Sequence, residues 1–372
     1  MPPVLVSDDP PSAIRFSPMA EPKSKKIPAP PLPAPRLLPW HAPLAEQLRR
    51  AWSNGRISHA LLLQGAEGIG KRQFAAWLAA AALCDVSRDG GLQHCGKCAS
   101  CTLIAAESHP DLLWIRPEED KQQISIDQVR AASERLSKTS YRQGYKVAIV
   151  EPAHQMTPSA ANSLLKTLEE PPLGSLVLLI SSQPSALLPT VRSRCQKLTL
   201  VRPSPAQALA WIEAESGRDV EADLLPFAGG APLKALEQAE AGFESLNERM
   251  HAALSDLLAG QADVTQVAAA WADDRLADRL NWLDLWLLSL ARGALTGNAD
   301  LITFPTRPLH LPSSPRTLNI SGVYSMVDRA RALKAQLART ALQRELAVES
   351  WLIALLDVLA PAAAPEPRGA LT

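Results

Sequence analysis

The sequence predicts an α/β domain with a parallel sheet, followed by two regions built from helices alone. Two patterns carry this prediction. From about residue 57 to residue 200, short apolar runs alternate with helical segments, and these runs fall at 61–63, 112–115, 147–150, 177–180 and 198–201. Such alternation is typical of parallel strands joined by crossover helices. Beyond about residue 204 the pattern changes, and leucines recur at the spacing of a helix face.

The composition indicates a globular protein of more than one domain. The chain has 372 residues, of which 47% are hydrophobic, and it carries 38 basic and 38 acidic side chains. Because these charges balance, the chain as a whole has no net positive charge that would attract nucleic acid, and any DNA contact must be local. No apolar run reaches the ~20 residues of a membrane span. The proline-rich N-terminus also lacks the apolar stretch of a secretory signal. We therefore expect a cytoplasmic protein.

Changes in composition divide the chain into five parts. Prolines crowd residues 1–38, which predicts a disordered or polyproline tail because such a segment cannot bury a core. Residues 363–372 are predicted to form a second disordered tail. The remaining boundaries are predicted at 39–203 for the α/β domain, 204–244 for a small helical unit and 245–362 for a C-terminal helical bundle.

The helical regions carry local signals of their own. Ser204, Pro205 and Gln207 have the order of a helix N-terminus, with a capping serine, a first-turn proline and a glutamine that bonds back. A Gly-Gly-Ala-Pro sequence at 229–232 predicts a break, and the proline-rich stretch 303–315 predicts a long loop. Two stripes predict buried helix faces, namely Leu276, Leu280, Leu283, Leu287 and Leu290, and then Leu342, Leu346, Leu352, Leu355 and Leu359.

A phosphate-binding loop is predicted directly after the first apolar run. Residues 65–72 read Gly-Ala-Glu-Gly-Ile-Gly-Lys-Arg and open a helical stretch that runs to Leu83. In this context the glycines let backbone N–H groups converge on a phosphate, and the lysine adds a positive charge. The candidate nucleotide-binding residues in the loop are Gly65, Gly68, Gly70, Lys71 and Arg72.

Both the loop and the strand that should complete it lack a catalytic part. Arg72 stands where a serine or threonine hydroxyl normally holds Mg²⁺. The 147–150 run ends at Glu151, a further candidate nucleotide-site residue, and Pro152 occupies the position of a second carboxylate. Proline cannot orient an attacking water. Binding of ATP therefore stays an open question, whereas hydrolysis of ATP by this chain is not expected.

Four of the five cysteines lie close together in the sequence, with two consecutive Cys-x-x-Cys turns and one cysteine upstream. In a cytosolic chain, such clustering indicates a metal site rather than disulfides. Four thiolates favour one structural Zn²⁺. Replacement of Cys84 by His94 as a ligand, an iron–sulfur site and unbound thiols are the alternatives. The candidate ligands are Cys84, Cys95, Cys98 and Cys101.

Three further segments complete a family pattern: 124–130 (ISIDQVR), 162–172 (NSLLKTLEEPP) and 187–195 (LLPTVRSRC). Together with the loop and the inserted cysteines, they resemble the clamp-loader ATPases of the AAA+ class over roughly residues 38–245. Within that family the likeness is greatest to a subunit of the bacterial DNA polymerase III holoenzyme that does not hydrolyse ATP. The resemblance implies an AAA+ sheet domain with a zinc module at 84–101, a helical lid and a C-terminal collar.

The resemblance also implies roles for single residues. Arg194 corresponds to an arginine finger that reaches the ATP site of a neighbouring subunit, and a guanidinium suits this role because it is always charged and forks across phosphate oxygens. Ser181 or Ser182 corresponds to the family's first sensor position, and Lys234 lies near the second. Lys166 is a candidate contact for DNA phosphate, on a helix that faces the DNA channel in the family.

The function implied by the resemblance is that of a stator-like subunit without ATPase activity of its own, within a DNA-directed DNA polymerase (nucleotidyltransferase) holoenzyme. It would assemble with gamma/tau-like motor subunits and a delta subunit, and help to load the sliding clamp onto primer–template DNA. One alternative is an active gamma/tau-like motor, against which Arg72 and Pro152 argue. Another is a zinc-ribbon nucleic-acid-binding protein, against which the neutral charge balance argues.

Overall fold

The computed structural model describes residues 33–87, 91–119, 121–141, 144–311, 318–337 and 343–360. Residues 1–32 and 361–372, which contain most of the two predicted tails, lie outside these described ranges. Within the ranges, no helix has both the length and the apolar character needed to cross a membrane.

The first domain is built on a parallel sheet of five strands in the order β2-β3-β4-β1-β5. The strands are β1 Ala60–Gln64, β2 Leu112–Ile115, β3 Lys146–Val150, β4 Ser175–Ser181 and β5 Gln196–Thr199. All five predicted strands are confirmed, and so is their parallel pairing. The fifth begins two residues earlier than predicted, because Gln196 already pairs with Leu61.

Helices cover both faces of this sheet. They are α1 Ala42–Ser53, α2 Lys71–Leu83, α3 Ala99–Ala105, α4 Ile126–Ser137, α5 Pro158–Glu169 and α6 Pro189–Ser193. Side-chain caps set the start of three of them: Cys98 Sγ accepts from the backbone of Cys101 in α3, Ser125 Oγ from that of Gln128 in α4, and Thr157 Oγ1 from that of Ala160 in α5. Each cap satisfies a backbone N–H group that the first helical turn leaves without a partner.

Alternate residues of each strand face opposite sides of the sheet and build two separate cores. Leu61 and Leu63 of β1 belong to one core with Phe74 of α2. Leu62 belongs to the other, with Val129 of α4. Because both faces are covered, the strands read as continuous apolar runs rather than as alternating ones. Because the strands are parallel, the carboxyl ends of β1 and β3 lie at the same edge of the sheet, and the predicted nucleotide-site residues follow them there.

Beyond residue 204, the long regular elements of the described chain are helices: α7 Pro205–Ser216, α8 Leu224–Phe227, α9 Pro232–Glu240, α10 Phe243–Leu258, α11 Val264–Trp271, α12 Leu276–Thr296, α13 Ile320–Leu337 and α14 Arg344–Leu359. The predicted cap at Ser204 forms, with the Gln207 side chain bonding back. One continuous apolar core extends from Ala208 to Leu359. The two helical regions are thus packed on each other, and the boundary at 244/245 stays a prediction.

The N-terminal tail, predicted to reach residue 38, ends earlier than predicted. Arg36 makes two hydrogen bonds to the Glu215 carboxylate on α7, one of them 3.1 Å long. Leu38 is buried and belongs to the core of the helical regions. Proline-rich composition does not prevent order here because this apolar side chain and an ion pair anchor the backbone.

The leucine stripes are confirmed only in part. All five leucines of the first stripe are buried on α12, as are Leu352, Leu355 and Leu359 on α14. Leu346 is instead 59% exposed, because the buried residues of α14 begin half a turn later, at Val348. Leu342 lies outside the described ranges. In the described part of the predicted loop, Thr306 anchors the chain by donating its backbone N–H to Asp223 at 2.8 Å.

Candidate nucleotide site, metal centre and exposed arginine

The predicted phosphate-binding loop connects the end of β1 to the first residue of α2. Gly70 precedes α2 in a left-handed conformation, with φ at 89°. The adjacent Lys71 is only 8% exposed, and its Nζ donates to the carbonyl oxygens of Gly65, at 2.9 Å, and of Ala66. Burial lowers the pKa of Lys71 below its ordinary value. The ammonium group is therefore turned onto carbonyl groups of its own loop.

Arg72 links the loop to the end of β3. Its Nε lies 3.1 Å from Glu151 Oε1, while Arg116 Nε lies 3.3 Å from Oε2. Trp114 Nε1 donates to Oε2 at 2.9 Å, and the Arg116 guanidinium stacks on the Trp114 ring. Two cations and an indole thus surround a carboxylate whose side chain is 13% exposed. In hydrolysing relatives of such loops, Mg²⁺ lies between the loop and this strand end. Here the Arg72 guanidinium lies between them.

The small helical unit closes over the loop through the start of α9. Lys234 Nζ lies 2.7 Å from Glu67 Oε2, and the backbone N–H of Leu233 donates to Gly68 O at 3.0 Å. A Cβ on Gly68 would lie 2.8 Å from the Cβ of Ala231, so the close approach of these two segments requires glycine. The unit therefore covers the loop, as expected of a lid, and contacts it directly.

A cavity of about 380 Å³ lies between the loop, the sheet edge and the lid. Its wall brings together most of the predicted nucleotide-site and sensor residues, namely Gly68, Gly70, Lys71, Arg72, Glu151, Ser182 and Lys234. Gly65 is not in this wall and packs against the backbone of Leu200. Of the two serines predicted for the first sensor, Ser182 faces the cavity. Ser181 is buried and bonds to His154 at 3.2 Å.

The segment before α1 packs against the loop from another side. Trp40 Nε1 donates to Ile69 O at 2.9 Å, and His41 Nε2 lies 3.0 Å from the same oxygen. Because Leu38 N donates to His41 Nδ1, the ring proton lies on Nε2. Burial lowers the pKa of His41 to about 4, so this imidazole is neutral. A side chain at Gly70 would overlap both Leu38 and His41.

The residues of this site that sequence reasoning missed include Glu67, Trp114, Arg116 and His41. Only Glu67 carried a usable signal, because a carboxylate inside a loop built to attract anions is electrostatically unexpected. The other three lie on separate elements, and nothing in their sequence spacing connects them with the loop.

The four predicted cysteine ligands form one group. Their sulfur atoms lie within 4.8 Å of one another, and the sulfurs of Cys84 and Cys98 are 3.9 Å apart. Tetrahedral Zn²⁺ with bonds of about 2.3 Å places its sulfurs about 3.8 Å apart, so the spacing fits such an ion. Among the described residues this group comprises Cys84, Cys95, Cys98 and Cys101, without His94. The cluster can thus hold a metal ion through four thiolates.

The surroundings of these thiols shift their pKa values in opposite directions. Backbone N–H groups of Lys97 and Cys98 donate to Cys95 Sγ and lower the pKa of Cys95 to about 6. Burial raises the pKa of Cys101 to about 12. Four adjacent thiolates are therefore not all stable at neutral pH unless a cation compensates them. Asp85 orders the module from outside by accepting from Ser100 N and Oγ.

Arg194 lies at the end of α6 and not in the wall of the cavity beside the loop. Its Nη2 is 2.6 Å from Glu169 Oε1, and its Nη1 donates to Thr190 O at 3.0 Å. The Arg194 side chain is 37% exposed and that of Glu169 is 49% exposed, so the guanidinium is held at the surface. The adjacent Cys195 is buried, and burial raises its pKa to about 11. Lys166 is exposed on α5.

A parallel sheet in this strand order, with a phosphate-binding loop after β1 and a helical lid on that loop, defines a P-loop domain of the AAA+ class. Comparison with known proteins specifies the family. A family model described as DNA polymerase III, delta subunit matches residues 40–204. The chain is 31% identical to DNA polymerase III subunit delta' of Escherichia coli over 88% of this chain and 97% of that protein. The chain belongs to the DNA polymerase III subunit delta' family.

The chain is also similar to another delta' subunit and to gamma-type proteins. The delta' subunit of Pseudomonas aeruginosa is 37% identical, over 71% of this chain and 80% of that protein. A gamma/tau subunit of Mycobacterium bovis is 29% identical over 78% of this chain. Among solved structures, a DNA polymerase III gamma subunit-related protein of Thermotoga maritima is 17% identical, covers 84% of this chain and has a TM-score of 0.37.

Proposed function

We propose that this chain is a non-hydrolysing, stator-like subunit of the DNA polymerase III clamp loader. The observation that carries the proposal is the contact of Arg72 with Glu151 at 3.1 Å, in a member of the delta' family. Hydrolysis in P-loop proteins needs Mg²⁺ held by a loop hydroxyl and a strand-end acid. Here a guanidinium replaces the hydroxyl and also neutralises the acid. The chain therefore contributes its shape and its surface residues to the assembly rather than ATP turnover.

The surface residue that it contributes to catalysis is Arg194, as an arginine finger for a neighbouring motor subunit. Support comes from the position of Arg194 outside this chain's own cavity and from its 37% exposure. A guanidinium there can stabilise the charge that develops on a transferring phosphoryl group. The half-exposed carboxylate of Glu169 is a weak partner that phosphate oxygens can displace.

The proposed partners are gamma/tau-like motor subunits and a delta subunit, with the sliding clamp and primer–template DNA reached through the complex. Exposed Lys166 on α5 is the proposed contact for DNA phosphate. The cysteine group is proposed to hold one structural Zn²⁺, because four thiolates leave no coordination position for a substrate. The zinc would stabilise the module between α2 and β2 and take no part in a reaction.

An active motor of the gamma/tau kind is the competing function, and the 29% identity to such a subunit gives it some support. Two measurements separate the functions. Purified protein is first assayed for steady-state ATP hydrolysis, where we expect no turnover and a motor would approach 1 s⁻¹, the low end for typical enzymes. It is then mixed with gamma/tau-like and delta subunits, and native mass spectrometry should show it within a defined hetero-oligomer. Turnover by the isolated chain, or failure to join the complex, would contradict the proposal.

A further inference from the structure

The Glu67 carboxylate lies in an electrostatic setting that suits a phosphate. Lys234 of the lid contacts one of its oxygens at 2.7 Å, and Ser182, just after β4, donates to the other at 3.4 Å. These cationic and hydroxyl contacts, together with the charge of Lys71, lower the pKa of Glu67. The lysine of such a loop serves the terminal phosphates of a nucleotide. An ammonium from the lid and a hydroxyl from the sheet edge thus contact one anion, which this chain supplies itself, and the charge of Lys71 acts on that anion without direct contact.

We propose that the Glu67 carboxylate takes the place of a terminal phosphate and holds the lid closed on the loop without nucleotide. The proposal deepens the stator role proposed above, because it explains how the lid keeps one position while neighbouring subunits bind and hydrolyse ATP. The closed position has a second, neutral component in the hydrogen bond from Leu233 N to Gly68 O at 3.0 Å. The close packing of Gly68 against Ala231 is the third.

The size of the effect follows from exposure. The side chains of Glu67 and Lys234 are 59% and 48% exposed, and such ion pairs contribute about 0.2–1 kcal/mol. Loss of the pair should therefore raise the fraction of open lid by up to about fivefold, and amide exchange in α9 by the same factor. The backbone contacts remain, so the variant should stay folded.

The test compares hydrogen exchange of α9 in wild type, Glu67→Gln and Glu237→Gln, each as the isolated full chain. Glu237 lies on α9 and in the wall of the same cavity. Its replacement therefore removes one negative charge from the cavity but leaves the Lys234–Glu67 ion pair intact. We expect faster exchange only in Glu67→Gln. Millimolar inorganic tripolyphosphate should then restore protection in that variant and leave wild type unchanged.

Any one of several results would overturn the proposal. They are equal exchange in Glu67→Gln and wild type, equal acceleration in Glu237→Gln, or protection by tripolyphosphate that is as strong in wild type as in the variant. Acceleration without restoration by tripolyphosphate would also refute it, because the carboxylate would then be a lid contact and not a phosphate substitute. The test is independent of assembly. A negative result with normal entry into the complex would leave the proposed stator function intact.

Discussion

Glu151 offers the sharpest contrast between a structural and a catalytic use of the same residue. In a hydrolysing P-loop protein, replacing the strand-end acid by its amide blocks turnover and leaves folding largely intact. Here Glu151→Gln would leave Arg72 and Arg116 facing a neutral group, with contacts of 3.1 and 3.3 Å losing their anion. Removing one partner from a buried pair costs about 3–5 kcal/mol. Because Arg72 is 31% exposed, we expect the lower end, about 3 kcal/mol.

Urea unfolding followed by circular dichroism at pH 7 measures this loss as a lower midpoint. Glu169→Gln is the matched control, since it breaks an ion pair of 2.6 Å whose members are both more than one-third exposed. That change should cost less than about 1 kcal/mol. If the free energy of unfolding of Glu151→Gln lies within about 1 kcal/mol of that of wild type, the loss is only that of an exposed ion pair, and Glu151 is not a structural anchor of the loop.

Two further predictions concern His41 and the cysteine group. Burial lowers the pKa of His41 from 6.5 to about 4. The contribution of the neutral imidazole to the stability of the fold is therefore complete above pH 6.5. It is lost as pH falls towards 4, because the unfolded chain takes up the proton first. This pH dependence, about 3 kcal/mol in the free energy of unfolding, should be absent from His41→Gln. Identical dependence of the urea midpoint on pH in His41→Gln and wild type would refute the prediction. Purified protein should contain one zinc per chain, and Cys98→Ser should lose it although serine preserves the cap of α3. Cys195→Ser should keep its zinc, and full zinc retention in Cys98→Ser would contradict the ligand assignment.

The sequence predicted those parts of the fold that local pattern determines. Buried parallel strands need apolar side chains on both faces, so runs such as Leu61–Leu63 are visible without any knowledge of their neighbours. Ser204 and Gln207 predict a helix start because the cap needs only residues close in sequence. The cysteine group was predictable for the same reason, since three of its four ligands lie within a few residues of one another.

What the sequence did not predict depends on contacts between distant segments. Glu151 lies 35 residues after Arg116 and 79 after Arg72, and only the sheet order and the helix on its face bring the three together. The order of residues 33–38 depends likewise on Glu215, far along the chain. A proline-rich composition reports the cost of ordering a segment, but it contains no information about the surface that will receive it.

Arg194→Ala in the reconstituted loader tests the central claim most directly. The variant should fold, retain zinc and enter the complex, because the side chain lies at the surface and makes polar contacts only with the exposed Glu169 carboxylate and the Thr190 carbonyl oxygen among the described residues. ATP hydrolysis by the complex should fall, since an arginine finger is worth about 10³–10⁵ in rate at the site that it serves. The loss should be partial if other motor sites receive their arginines from motor subunits. Arg194→Lys should restore little, because an ammonium cannot reproduce the planar fork. Wild-type rates of hydrolysis and clamp loading in a fully assembled Arg194→Ala complex would contradict the account.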